Sequence, residues 1–322
     1  MPPDAPPPDQ RPGPGRAAVG PDVAVVCVGV ATLDAIASVS HFPSPDERLV
    51  AEEISFAGGG PAATAAVALA RLGVPTAYVG CVGDDPEGQR VRDELATEGV
   101  DISGVTVAPG RRTAASAVIV DRGQHTRAIC TRPPPPLTTL SPAAENLLRD
   151  ARWIHADHVG WDVVGRMLGT FRSRQPAAAR SGPRLSVDAG NPVPDLLLRD
   201  VDLFVPTIEA LRREYGDRPD AALLATAVAD GADTVVATRG GHGAIAATSG
   251  GESVDVPGVA VPDLVSTLGA GDVFHGALLA ALVRGLPLRA CLDYANAAAA
   301  LSCRGLDGRS AIPRHQQVLA AI

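Results

Sequence analysis

The chain has 322 residues, 46% of them hydrophobic and 20% charged, so it can bury a large core; with only 3% aromatics, that core falls to Ala, Val and Leu. All 28 basic residues are Arg, and the absence of Lys excludes a P-loop, a protein-kinase strand lysine and a pyridoxal Schiff base. A formal charge of −8 argues against a nucleic-acid partner, and five scattered cysteines without CxxC spacing argue against a disulfide framework.

Residues 1–21 are dominated by Pro and Gly and read as a disordered tail, leaving 22–322 as one domain. No basic stretch leads into an apolar run at the N-terminus, and no apolar run reaches the roughly 18 residues a bilayer span needs. The expectation is a soluble, cytoplasmic protein without a membrane partner.

Val23–Val30 is a continuous apolar, β-branched run, suited to a strand buried on both faces. Arg48–Phe56 alternates apolar and polar residues, as a one-sided strand does. Pro61–Leu72 starts with Pro and stops at Gly73, as a helix should. Thr76–Val82 is the next buried strand, and Pro86–Glu98 a helix closed by Gly99. Thr113–Ile129 alternates again. Strands at Arg184–Val187, Asp202–Val205 and Thr234–Thr238 are separated by helices at Thr207–Tyr215 and Pro219–Asp230. This βα alternation predicts an α/β fold, a three-layer α/β/α sandwich. The two one-sided segments interleave with it, so they predict a small β-sheet lid built from about 35–57 and 113–131.

The sharpest local signal is Ser266-Thr267-Leu268-Gly269-Ala270-Gly271-Asp272. After it, Val273, Phe274, Ala277, Leu278, Ala281 and Leu282 recur at helical spacing. GAGD therefore opens a helix, where two glycines let backbone amides converge and the helix dipole adds positive charge. This is an anion hole that needs no lysine. Asp272 beside it can take the proton of an attacking hydroxyl. Alone, the motif would read as an ordinary capped helix start.

The chain resembles the ribokinase-like, or PfkB, carbohydrate kinase family. The resemblance rests on GGGPAATAAVALARLG at Gly58–Gly73 together with STLGAGDVFHGAL, and runs from about Asp22 to the C-terminus. It implies transfer of the ATP γ-phosphate to a sugar hydroxymethyl group. Carried over residue by residue, it makes Asp272 the base and Gly269, Ala270 and Gly271 the anion hole. It assigns Asp34, at the end of the first strand, to substrate hydroxyls, Gly59 and Gly60 to sugar contact and a lid hinge, and Asp157 to an acidic pocket position. For the nucleotide it implies Thr238, Gly240, Gly241, Gly243, Thr267 and Asn296, with Glu209 acting on Mg²⁺ through water. A homodimer joined through the lid is expected, because open sheet edges need cover.

Departures from the family pattern bear on specificity. Thr64 stands where the family commonly has an Asn that helps bind sugar hydroxyls. Ser266 replaces an Asp whose region supports a monovalent cation, leaving that cation open. Thr207 also replaces an Asn. Parts of the motifs look closest to the sulfofructose kinase branch, where Arg48 would meet a sulfonate, but Cys130 and the His158–Gly160 region stand where that branch has other donors. A nucleoside or vitamin-precursor kinase and a silent sugar-binding regulator are the alternatives. Apart from the resemblance, Asp34 reads as a turn cap and Glu209 as a solvated first-turn acid. His155 and His158 lack further ligands for zinc, and Cys130 reads as a small filler. Trp153 and Trp161 read as core residues or as an aromatic wall for a sugar ring.

Overall fold

The structure, a computed structural model, describes residues 23–124, 126–172 and 182–322. The tail expected over 1–21 lies outside the described residues. In chain order the elements are β1 (Val25–Val28), β2 (Thr32–Val39), β3 (Glu53–Gly59), α1 (Pro61–Arg71), β4 (Thr76–Gly83), α2 (Pro86–Thr97), β5 (Asp101–Ala108), β6 (Ala115–Asp121) and β7 (Thr126–Arg132). They continue as α3 (Pro142–Asp150), β8 (Trp153–Ala156), α4 (Gly160–Arg172), β9 (Arg184–Ala189), β10 (Leu203–Pro206), α5 (Ile208–Tyr215), α6 (Asp220–Ala229) and β11 (Thr234–Thr238). β12 (Ala244–Thr248), β13 (Ser253–Val256), α7 (Ala270–Val283), α8 (Leu288–Ser302) and α9 (His315–Leu319) complete the chain.

Nine strands form the main sheet, in the order β13-β12-β11-β10-β9-β8-β1-β4-β5. Every pair is parallel except β11–β12 and β12–β13. Burial on both faces explains the apolar runs. Along β1, Val25 and Cys27 join a core with α1, α7 and α8, while Val26 and Val28 join the opposite core beneath α3–α6. No helix among the described residues is long and apolar enough to cross a membrane.

The second sheet has the order β3-β2-β6-β7. Its register divides the side chains by parity. Asp34 pairs with Ser116, and Ser116 with Thr131, on the face toward the main body. Ala35 pairs with Phe56 and with Ala117, and Ala117 with Cys130, on the outer face.

Two sequence expectations need correction. Within the run Val23–Val30 the strand covers only Val25–Val28. Asp157 captures the Val30 N–H at 2.8 Å, the chain turns at Gly29, and it re-emerges as β2 of the second sheet. Asp34 therefore lies inside a strand of that smaller sheet rather than at the end of β1. The alternating run Thr113–Ile129 spans two antiparallel strands, β6 and β7, since the chain turns after Asp121.

Candidate active site

The loop before α7 is held from both sides. The N–H groups of Val265 and Ser266 donate to the Cys303 carbonyl at 2.9 and 3.1 Å, and the Ser266 hydroxyl accepts the Leu268 N–H at 3.1 Å. Gly269 is left-handed, with φ of 74°, and a Cβ there would stand 2.6 Å from Gly308 Cα. Both constraints demand glycine. The first-turn amides of α7 lack an upstream helical turn to bond to, so the helix presents donors and the positive end of its dipole. Ala270 turns its N–H back to Thr267 O at 3.3 Å, whereas a Cβ on Gly271 would meet nothing within 4 Å. The cradle is thus open at Gly271.

It opens onto a cleft of about 700 Å³ at the carboxyl ends of the parallel strands, under the small sheet. Ligands bind at this edge in open α/β sheets. The cleft brings together Asp34, Gly60, Thr238, Thr267, Gly269, Gly271 and Asp272 from positions up to 238 residues apart. Thr32 Oγ1 and Asp34 Oδ1 are buried without a hydrogen-bond partner among the described residues, so they are ready for a ligand's hydroxyls. Gly59 leaves room for Asp34: a Cβ on it would overlap the Asp34 carboxylate.

Other predicted residues lie behind the wall or away from it. Asp157 is fully enclosed, and its two oxygens accept the N–H groups of Val30, Ala62, Val159 and Gly160 at 2.8–3.3 Å. It ties β1, α1 and α4 together and presents no free lone pair to the cleft. Thr64 is buried, its hydroxyl 3.3 Å from Arg309 Nε. Arg48 sits on the exposed 40–52 segment, and Glu209 is exposed in the first turn of α5; neither lines the cleft. Cys130 faces outward, and Trp153 and Trp161 are core residues.

Beside Thr238 the chain makes a short turn at Gly240–His242, closed by Arg239 N–H donating to Gly243 O at 2.8 Å. Gly243 has φ of 94° and packs against Val256 O, and Asn296 on α8 donates to Pro257 O at 3.2 Å. Gly240, Gly241, Gly243 and Asn296 thus share one ledge running away from the cleft.

The cleft also holds residues that sequence reasoning passed over. Asp188 and Asn191 come from the end of β9 and the loop after it, and His275 lies one helical turn beyond Asp272. Helical spacing could have pointed to His275. Arg127, on the inner face of β7, donates to Thr267 Oγ1 at 2.9 Å and so reaches from the small sheet to the anion loop. It is the one arginine among the described residues that line the cleft. Arg309 is buried, donates to Gly59 O at 2.7 Å and reaches Thr64; Gly308 beside it packs on Gly269. No local signal marks Arg127.

Burial pushes the Asp272 carboxyl up to about 7, and the Asp188 charge adds to the effect; His275 and Arg127 pull the other way. A carboxyl so poised can accept a proton near neutrality and pass it on. Burial also raises Asp34 from its ordinary value, against the pull of the neighbouring Thr32 and Ser116 hydroxyls and, more weakly, of Arg309. Among the described residues, no three His, Cys, Asp or Glu side chains form a metal cage. A Mg²⁺ carried by nucleotide phosphates needs no such cage, since phosphates and water supply most of its ligands.

A lysine-free amide cradle, a poised carboxyl and a roofed cleft define a class: phosphotransferases that act on a small alcohol. Comparison with known proteins narrows it. The pfkB family of carbohydrate kinases matches residues 23–314. The chain is 27% identical to a ribokinase of Haemophilus influenzae, over 91% of this chain and 96% of that one. It is 30% identical to an ATP-dependent ribose-1-phosphate kinase of Halopiger xanaduensis, over 92% and 97%. A putative ribokinase from Agrobacterium tumefaciens superposes with a TM-score of 0.82 at 28% identity, covering 94% and 97%. The chain belongs to the pfkB family and is an ATP-dependent carbohydrate kinase of ribokinase-like fold.

Proposed function

We propose that the enzyme transfers the ATP γ-phosphate to the hydroxymethyl group of a small neutral sugar, a pentose or ketohexose, with Asp272 as the base. The observation that carries this reading is Asp272 and the open Gly271 cradle sharing one cleft with Asp34. The sugar lies over Asp34, Gly59 and Gly60, beneath the small sheet acting as a lid. The nucleotide follows the ledge from Thr238 through Gly243 toward Asn296 and brings its γ-phosphate to Gly269–Gly271. Asp272 takes the hydroxymethyl proton as the oxygen attacks in line. Lid closure excludes water, so ATP is not simply hydrolysed. Glu209, in the first turn of the helix that Thr207 caps, would be the residue to approach a phosphate-bound Mg²⁺ through water, and that ion would supply charge neutralisation on the phosphates.

A neutral sugar is favoured over a sulfo-sugar because Asp34, Asp188 and Asp272 line the cleft, while Arg127 is engaged with Thr267 and Arg48 lies off the lining. The outer lid face supports a dimer. Ile54 and Phe56 are 63% and 57% exposed there, next to Ala35, Ala117 and Cys130, an apolar patch suited to a second copy. The five cysteines are free thiols, in keeping with the cytoplasm.

The test is ADP formation with Mg²⁺ and a panel of ribose, fructose and other ketoses, ribose 1-phosphate, sulfofructose and nucleosides. Turnover of a neutral pentose or ketohexose is expected. Activity confined to anionic sugars or nucleosides, or binding without ADP formation, overturns the reading. Phe56→Asp should convert a dimer to a monomer in light scattering; a wild-type monomer would refute the lid dimer.

A further inference from the structure

His275 lies three residues after Asp272 on α7, so both side chains leave the same side of the helix. Its Nε2 is 3.3 Å from Asp188 Oδ1, at the end of β9. The two residues are 5% and 6% exposed, and both line the cleft. Asp188 Oδ1 also accepts the Gly190 N–H at 2.8 Å, which fixes the carboxylate. We propose that the buried His275–Asp188 pair is a positioning device for the base, the imidazolium offsetting the Asp188 charge so that Asp272 can take up and release the substrate's proton. This rests on reading Asp272 as the base.

The charge pattern around α7 makes the need plain. Two carboxylates in one enclosed site cannot both ionise cheaply. Asp188 raises Asp272, and Asp157 at the end of β8 adds a weaker push in the same direction. Opposing them are His275 itself, Arg127 from β7 and Arg309 from the C-terminal loop. Of these, only His275 is in direct contact with Asp188.

A second histidine sharpens the assignment. His155 on β8 has its ring 5.3 Å from that of His275. Its Nδ1 meets Ser186 Oγ at 3.0 Å, and among the described residues no carboxylate forms an ion pair with it. Burial holds it down to about 3, so it stays neutral. For His275 burial acts the same way, but contact with Asp188 outweighs it and raises the imidazole above its ordinary value. Burial therefore keeps one histidine neutral, while contact with Asp188 draws the other toward its charged form. The proton on His275 stays with the pair through the cycle, and the substrate's proton goes to Asp272.

The experiment has two arms. In the first, kcat/KM for the accepted sugar is followed against pH. In His275→Asn the uncompensated Asp188 should move the acidic limb up by about one pH unit, so that activity falls about fivefold at pH 7 and recovers as the pH rises. A loss equal at every pH would mark a merely structural role and overturn the proposal. In the second arm, imidazole ¹⁵N shifts of the full-length wild-type chain are followed by NMR without substrate. His275 should be charged and His155 neutral at pH 7, and Asp272→Asn should alter the His275 titration. A His275 neutral at pH 6 overturns the proposal. This arm reads the same whether or not any sugar is phosphorylated, so its failure is distinct from failure of the kinase reading.

Discussion

Replacing Asp272 by Asn should weaken catalysis and strengthen the fold. The fold pushes this carboxyl up to about 7, against about 3.9 for a free aspartate. Three pH units at about 1.4 kcal/mol each bound the cost of ionising it at roughly 4 kcal/mol. The side chain is half-buried and opens on the cleft, so screening by solvent reduces the realised cost to about 1–2 kcal/mol. The sign follows from proton counting. Between about pH 4 and 7 the native state binds more protons than the unfolded chain, so the wild type loses stability as pH rises through that window. Asn does not titrate and escapes the loss. Thermal unfolding should show no gap between variant and wild type at pH 4 and an advantage for the variant of about 2–3 °C at pH 8. Its kcat should fall by about two or more powers of ten. A gap that does not change with pH, or a wild type that is the more stable at pH 8, would refute the electrostatic reasoning.

Arg309→Met should cost about 2–4 kcal/mol in urea unfolding, because it leaves the buried Gly59 carbonyl without its donor; a cost below about 0.5 kcal/mol would mean that this contact is not formed in solution. Gly59→Ala forces a methyl group into the Asp34 carboxylate, so calorimetry should show sugar binding weakened at least tenfold, with nucleotide binding retained. Arg127→Ala removes the contact from β7 to Thr267; the KM for sugar should rise and kcat fall together, as for a lid that no longer closes, and unchanged kinetics would argue against that latch.

Several features could be read locally. The GAGD turn, its φ-demanding Gly269 and the carboxylate in the first turn of α7 follow from residues within one helical turn of each other. The βα alternation was legible because a strand buried on both faces must be apolar along its whole length. The run 23–30 misled for the same reason. It stays apolar past Val28, and only Asp157, 127 residues later, captures the Val30 N–H and turns the chain. Thr64 and Asp157 sit at motif positions that suggest the sugar; in the structure Thr64 also accepts from Arg309, and Asp157 accepts four backbone amides. A motif specifies position along an element, not which neighbour arrives first.

Sequence by itself determined the layered fold, the amide cradle and the carboxylate beside it, since these depend on periodicity, glycine and helix polarity over short spans. Tertiary structure alone decided which strand carries Asp34, that Arg127 reaches the anion loop, and that His275 meets Asp188. Those pairings depend on register between strands far apart in the chain and on which buried charge finds a partner.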